Sequence, residues 1–458
     1  MNLHRLLGRR ADEGKPVRVG LIGAGKFGSM FLSQARRTVG LHVVAIADLL
    51  PRRARESLTR VGWPETQYSA STVAAALRHG STHLTDDALK VIAADGLEVV
   101  IDATGNPEAG IRHVLACCQH GKHIVMVNVE ADALAGPLLA RRAASAGIIY
   151  SLASGDQPAL ICELVDWART AGFEVVAAGK GTKYMPEYHF STPDTVWDHY
   201  GFTPDMVAKG DFNSRIFNSF LDGTKSAIEM AAVANATGLA PAPEGLAFPP
   251  CGVDDLPRVL RPRAAGGQLH HTGQVEVISC VERDGRPVCR DLRWGVYVTF
   301  SAESDYVRRC FKEYGLLTDE SSNYSAMYRP YHLIGLELGI SVASVALRHE
   351  PTGSPTGFRG DVVATAKRDL KPGETLDGEG GYTVYGRLMP ASDSLVLGGF
   401  PIGLAHGAKL VRAVAKGAPL KWGDVETIES DAACFRREME TLFAQEQGLA
   451  GIEQARGR

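Results

Sequence analysis

The stretch VRVGLIGAGKFG, residues 17–28, decides how the amino-terminal part of the chain folds. An apolar run ends in Gly23-Ala24-Gly25-Lys26-Phe27-Gly28. Glycines at this spacing serve a tight turn, a close approach of backbone to a pyrophosphate, and packing of a helix against a strand. The next apolar run closes on Asp48, twenty residues after Gly28, where a carboxylate can bind the hydroxyls of an adenosine ribose. Strand, glycine turn, helix and acid together predict a dinucleotide site made of Gly23, Ala24, Gly25, Lys26, Phe27, Gly28 and Asp48. Arg52, Arg53 and Arg55 follow within one helical turn. Their guanidinium groups favour NADP(H) over NAD(H) if they hold a 2′-phosphate, the alternative being a solvated basic face.

Working outward, residues 17–155 alternate short apolar runs with helix-like segments: LHVVAIAD, LEVVIDATG, a helix after Pro107, KHIVMVN, a helix from Asp132, and IIYSLASG. Such alternation predicts a parallel sheet covered on both faces, an α/β doubly wound domain over residues 1–155. After Gly155 the rhythm changes to mixed structure, predicting an α+β catalytic domain over 156–355. Within it, RPYHLIGLELGISVASVAL reads as a helix with Pro330 in its first turn that returns to the cofactor domain. A near-repeat, RDLKPGETL from Arg368 and RAVAKGAPL from Arg412, predicts a small β-rich module of two related halves over 356–445, with a frayed tail at 446–458.

Composition narrows the partners. With 45% apolar and 22% charged residues and a formal charge of −3, nothing points to nucleic acid or an anionic membrane. No signal-peptide core or bilayer-length apolar span is evident, which predicts a cytoplasmic protein. Eight cysteines without a C-x-x-C argue against a zinc site or a disulfide framework. In VISCVERDGRPVCRDL the Asp284-Gly285 step predicts a two-residue hairpin turn that sets Cys280 opposite Cys289. Packed free thiols are the expectation there, a bridge the alternative.

Candidate chemistry lies beyond the cofactor domain. In FNSFLDGTKSAIEM, Asn218, Asp222, Lys225 and Glu229 recur at spacings of four, three and four, which puts them on one strip of a single helix. Such a strip is either solvated or faces a substrate; Gly223 within it suggests close approach by a backbone or ligand. The segment GKGTKYMPEYHFST adds Lys180, Lys183, His189, Ser191 and Thr192. Gly179 and Gly181 flank Lys180, so that backbone N–H groups with two ammonium groups would cradle a phosphate or carboxylate. His113, His120 and His123 read as structural.

These residues resemble known families. Residues 17–230 resemble the homoserine dehydrogenase family through the glycine fingerprint, ATGNP after the fourth strand, VNVEADAL and GKGTKY. The resemblance implies a Rossmann domain in which Ala103, Thr104, Gly105 and Asn128 also line the cofactor. Val129 stands where that family has a lysine, and its Asp-x-x-x-Lys pair is here Asp222-x-x-Lys225. The carboxyl-terminal repeat resembles the SAF module, a β-clip. Over nearly the whole chain VRVGLIGAGKFG, GKHIVMVNVEADALAGPLLA, GDQPALICE, FNSFLDGTKSAIEM and DVVATAKRDLKPGETLDGEGG are similar to the 1-deoxy-D-xylulose 5-phosphate reductoisomerase-like enzymes. That resemblance implies NADP(H), a small phosphorylated sugar and a divalent cation, Mg²⁺ or Mn²⁺, bound by Asp156 and Glu229. It implies Lys225, Asp222, Glu229 and Lys183 as catalytic groups, with Lys180, Lys183, Ser191 and Asn218 on the substrate. A homodimer is the expected assembly. A dehydrogenase of another sugar phosphate, polyol or hydroxy acid, and a dinucleotide-sensing protein without turnover, are the competing expectations.

Overall fold

A computed structural model describes residues 2–209 and 212–449. The chain divides into two compact units. One runs through Glu163 and takes in His332–Thr356; the other comprises Leu164–Tyr331 and the residues from Gly357 onward.

The first unit is built on six strands, β1 (Val17–Ile22), β2 (Leu41–Ala47), β3 (His83–Thr85), β4 (Val99–Asp102), β5 (His123–Met126) and β6 (Tyr150–Leu152). All pair in parallel, in the order β3-β2-β1-β4-β5-β6. The apolar runs of β1 and β4 are buried because helices cover both faces. The order in which strands are added reverses between β1 and β4, the switch point where such sheets bind dinucleotides. The doubly wound expectation is therefore met. The helix following KHIVMVN begins at Val129, not Asp132, because the Asn128 side chain caps it by accepting the Ala131 N–H at 3.1 Å.

The late helix spans Gly339–Arg348 and belongs to this unit, where Val342, Ala343 and Val345 join its core. It starts later than the sequence suggested. Tyr324–Arg329 forms a strand, so Pro330 ends that strand instead of opening the helix.

The second unit holds a mixed four-stranded sheet and a two-stranded antiparallel sheet. The first has the order β10-β9-β7-β8, from β7 (Glu174–Thr182), β8 (Gln274–Ser279), β9 (Val296–Ser301) and β10 (Tyr324–Arg329). The second pairs β11 (Gly360–Ala366) with β12 (Val384–Pro390). Between the sheets runs the helix Thr224–Thr237, which contacts β7 and β8 on one side and β11 and β12 on the other. Its residues are small and almost all buried. Close packing explains two glycines on the β-clip side: a Cβ at Gly360 would come within 3.2 Å of the Ala234 methyl, and one at Gly386 within 2.7 Å of Val362. The near-repeat folds as two halves that meet at equivalent positions, Leu370 and Val414 exchanging both backbone hydrogen bonds.

The Cys280–Cys289 hairpin departs from its expected register. Glu282 N donates to Arg286 O and Gly285 N to Glu282 O, with Gly285 at φ 86°, so the turn has three residues and a glycine bulge. Val281 then pairs with Pro287. The one-residue slip sends the two thiols to different environments, Cys280 buried and Cys289 exposed, and both are free. Among the described residues no helix is long and apolar enough to cross a membrane.

One buried acid in the first unit carries a pH signature. Asp132 is fully enclosed; its Oδ1 accepts the Tyr150 hydroxyl at 2.8 Å and its Oδ2 has no hydrogen-bond partner among the described residues. Desolvation pushes its pKa up to about 7. Between an ordinary unfolded value and about 7, the folded state keeps a proton that the unfolded state has released. Stability therefore falls as pH rises across that window. Asp132→Asn keeps an acceptor for Tyr150 while removing the ionisation. The variant should melt several degrees higher than the wild type at pH 8 and lose much of the slope between pH 4 and 7; the buried Glu276 of the second unit, also raised to about 7, retains part of it. A thermal melt series across pH checks this.

Candidate active site

The fingerprint of the first unit has the expected geometry. Gly23 sits at φ 94°, and a Cβ there would lie 2.7 Å from Ala103 O. Gly28 packs so that a Cβ would meet Gly23 O at 2.3 Å, whereas Gly25 faces open space. Turn, open approach and helix packing thus fall to separate glycines. The helix Lys26–Ala35 starts here with Gly25 as its cap, presenting backbone N–H groups suited to an anionic group. Asp48 fixes the turn: its Oδ2 accepts Ala24 N at 2.9 Å and its Oδ1 accepts Leu50 N at 3.0 Å. Arg52 and Arg53 are exposed on the following helix, with Arg52 3.4 Å from Glu56.

The ATGNP loop is held from beneath. Asp102 accepts Thr104 N and Oγ1 on one oxygen and His113 Nδ1 at 2.9 Å on the other, which accounts for His113 as a structural residue. Asn128 is fully buried; its amide donates to Thr104 Oγ1 and Asn106 O while its oxygen caps a helix. It shapes the loop Ala103-Thr104-Gly105 from below.

In the second unit the polar strip is neither continuous nor solvated. One helix ends at Leu221 and the next begins at Thr224, the break being made by Gly223 at φ 87°. A left-handed backbone is readily adopted only by glycine, which is why the break falls there. Asn218, Asp222 and Glu229 are buried and Lys225 is half-buried. Asp222 Oδ1 accepts Thr224 N at 2.9 Å across the break.

Two lysines meet the strip from opposite sheets. Lys180 of β7 pairs with Glu229 Oε2, both enclosed. Lys367, at the end of β11, lies 2.7 Å from Asp222 Oδ2 and donates to Ser191 O at 2.8 Å and Gly381 O at 2.7 Å. Two of its N–H groups are thereby spent on carbonyls, and the contact with Asp222 Oδ2, which has no hydrogen-bond partner among the described residues, is an ion pair by distance. Asn218 joins the same knot: its oxygen accepts Ser191 Oγ at 2.7 Å and its amide donates to Ser191 O and Gly380 O. His189 donates from Nδ1 to Asp222 O at 2.7 Å, since a carbonyl only accepts, so Nε2 accepts the Tyr184 hydroxyl at 2.9 Å. Burial lowers the His189 pKa and favours this neutral form.

Lys183 lies apart from this knot. It is half-buried, donates to His199 O and sits 5.7 Å from the Tyr200 ring centre. The glycine-flanked phosphate cradle is not formed, because both glycines serve sheet packing. A Cβ at Gly179 would fall 1.7 Å from Glu276 O and one at Gly181 2.0 Å from Leu292 O, and Gly181 N is spent on Gly295 O. Lys367, Tyr184 and Arg293 escaped the sequence reading; a lysine directly after the wholly buried run DVVATA was the signal for the first.

The residues do not fit a hard divalent cation within either unit. Asp156 lies in the first unit with Oδ1 accepting Gln157 N, while in the second Lys180 engages Glu229 and Lys367 engages Asp222. Among the described residues no three His, Cys, Asp or Glu side chains gather as ligands.

Comparison with known proteins gives this geometry a class. Residues 155–338 match the catalytic domain of oxidoreductase DRL, and residues 361–426 match the SAF domain. No curated protein matches. Solved structures with similarity include an NAD-binding oxidoreductase from Klebsiella pneumoniae, 18% identical over 38% of this chain and 44% of that one, TM-score 0.28. Biliverdin reductase from Synechocystis, in complex with biliverdin and NADP⁺, is 17% identical over 37% of this chain and 48% of that one, TM-score 0.26. The 1-deoxy-D-xylulose 5-phosphate reductoisomerase of Zymomonas mobilis, in complex with NADPH, is 17% identical over 48% of this chain and 57% of that one, TM-score 0.34. The chain thus spans about half the length of these proteins. Glycine fingerprint and six-stranded parallel sheet make the first unit a Rossmann-type dinucleotide-binding fold, and the stretch that follows it carries the match to an oxidoreductase catalytic domain. The second unit carries the DRL-like sheet and the SAF β-clip.

The buried pairs make a stability prediction. Lys180→Met removes the ammonium that pairs with the buried Glu229 carboxylate and should cost about 3–5 kcal/mol in urea unfolding. Adding Glu229→Gln should recover much of that loss; a double variant as unstable as the single one would show that pairing is not what Lys180 contributes.

Proposed function

We propose that the chain is an NADP(H)-dependent reductoisomerase that converts 1-deoxy-D-xylulose 5-phosphate to 2-C-methyl-D-erythritol 4-phosphate. The observation that carries the reading is the Lys180–Glu229 pair, buried between β7 and the central helix inside the segment that matches an oxidoreductase catalytic domain. The sequence resemblance supplies the reaction. Enclosed ammonium and carboxylate groups can hold or pass a proton with little competition from water.

NADPH, when bound, supplies the hydride that reduces the rearranged aldehyde. Gly23, Gly25 and the first turn of Lys26–Ala35 would take its pyrophosphate, and Arg52 and Arg53 would hold the 2′-phosphate that separates it from NADH. In the second unit Lys225 stabilises developing negative charge on the substrate oxygen and returns a proton to it. Asp222, paired with Lys367, bridges the break that presents Lys225; Glu229 and Lys180 keep a paired charge one helical turn further on. Ser191 and Asn218 shape the wall. No step is routed through a divalent cation. The same reading carries a homodimer in the cytoplasm, with a small phosphorylated sugar as partner and neither nucleic acid nor membrane, in keeping with the charge of −3.

A second reading, a dehydrogenase of an unphosphorylated polyol or hydroxy acid, draws on one fact: Lys180 is already neutralised by Glu229. The two part in one assay. Purified protein with NADPH and deoxyxylulose phosphate, with and without Mn²⁺, should show loss of NADPH absorbance. Lys225→Ala should slow turnover by about 10²-fold or more while leaving NADPH affinity within about twofold. Oxidation of polyols with no response to deoxyxylulose phosphate would favour the second reading. Full activity of Lys225→Ala would remove Lys225 from the mechanism.

A further inference from the structure

With Lys180 engaged by Glu229, the second unit has a different pair of cations free of carboxylates. Lys183 donates one hydrogen bond, to the His199 carbonyl, and forms no ion pair with any described residue. The Arg293 guanidinium makes no hydrogen bond or ion pair with any described residue; only its backbone N–H is used, by Asp291 Oδ1 at 2.8 Å. Both groups flank one aromatic ring: Lys183 Nζ lies 5.7 Å and the Arg293 guanidinium carbon 5.8 Å from the Tyr200 ring centre, while Arg293 also lies 4.7 Å from Trp294.

Backbone packing brings them together. A Cβ at Gly181 would stand 2.0 Å from Leu292 O and 2.9 Å from Arg293 N, so only glycine lets β7 press against the turn that carries Arg293. Lys183 follows two residues along the same chain. Gathering two half-buried cations about one ring is unfavourable by itself. The proton affinity of Lys183 reflects this, lowered first by desolvation and next by Arg293. The buried Cys280 thiol nearby is raised by desolvation and offers no counter-charge.

We propose that Lys183 and Arg293, gathered about the Tyr200 ring, form the subsite for a phosphate monoester dianion, the phosphate of the substrate. Two positive groups, one a planar fork and one a compact ammonium, match two negative charges, where a carboxylate would neutralise only one. Burial pushes the Tyr200 pKa up to about 12, so the ring the two cations share carries no negative charge of its own across the physiological range. This deepens the reading under Proposed function and rests on it for the identity of the sugar. The phosphate handle moves from Lys180 to Arg293, which also answers the fact that favoured an unphosphorylated substrate.

Inorganic phosphate is the direct probe, titrated calorimetrically at constant ionic strength into the full chain. Wild type should bind it; Arg293→Met and Lys183→Met should each weaken it about tenfold or more. Arg293→Lys should fall between, keeping charge but losing the fork. Arg263→Met, which removes an exposed charge elsewhere in the unit, should leave it unchanged. Equal binding by wild type, Arg293→Met and Lys183→Met, or no binding to wild type at tens of millimolar phosphate, would overturn the subsite. With deoxyxylulose phosphate, Arg293→Met should raise KM about tenfold with kcat held. Phosphate binding that needs both cations in a protein that does not turn over deoxyxylulose phosphate would keep the subsite and remove the reaction. Turnover with KM unmoved by Arg293→Met would do the reverse.

Discussion

A helix enclosed on both sides has no solvated face, and that constraint organises the second unit. Thr224–Thr237 lies between β7 and β8 on one side and β11 and β12 on the other. Small residues, Ala227, Ala231, Ala232 and Ala234 among them, let both sheets come close. Any charged group on such a helix must find its partner inside the protein or pay a large desolvation penalty. Glu229 finds Lys180 from the mixed sheet, and Asp222, at the break before the helix, finds Lys367 from the β-clip. The SAF module is therefore part of the wall of the polar knot. Its loop carbonyls at Gly380 and Gly381 receive Asn218 and Lys367, and a Cβ at Gly380 would strike Arg215 O at 2.0 Å.

The first unit solves a different problem with backbone alone. Gly23, Gly25 and Gly28 divide the turn, the open approach and the helix contact among them, and Asp48 tightens the turn through the Ala24 N–H. Beneath the neighbouring loop, Asp102, His113 and Asn128 form a buried hydrogen-bonded support. Groups that would face a cofactor are thus backbone amides and small side chains, while the buried polar residues orient them.

Much of this was legible in the sequence because it is local. A glycine fingerprint between a strand and a helix needs only about a dozen residues, and alternating apolar runs report a parallel sheet wherever they occur. The SAF repeat was visible for the same reason, and its Leu370–Val414 pairing places the halves in register. What failed required distant neighbours. Spacings of four, three and four fit one helix as well as two broken at Gly223, and only the left-handed backbone tells them apart. Gly179 and Gly181 looked like a phosphate cradle because glycine also signals close packing, here against Glu276 and Leu292, residues about a hundred positions away. A single residue of turn length moved Cys280 and Cys289 to different environments, a slip that Asp284-Gly285 alone does not reveal. Lys367 was hidden because its partner, Asp222, lies far back in the sequence.

Native-state hydrogen exchange read by mass spectrometry tests whether the helix Thr224–Thr237 is locked between the mixed sheet and the β-clip as one cooperative body. Peptides covering the helix, β7 and β11 should exchange together, at the slowest rate of the second unit and with one common dependence on denaturant. Exchange of β11 and β12 well ahead of the helix, while β7 stays protected, would mean that the β-clip opens by itself and does not hold the buried lysine pairs in place.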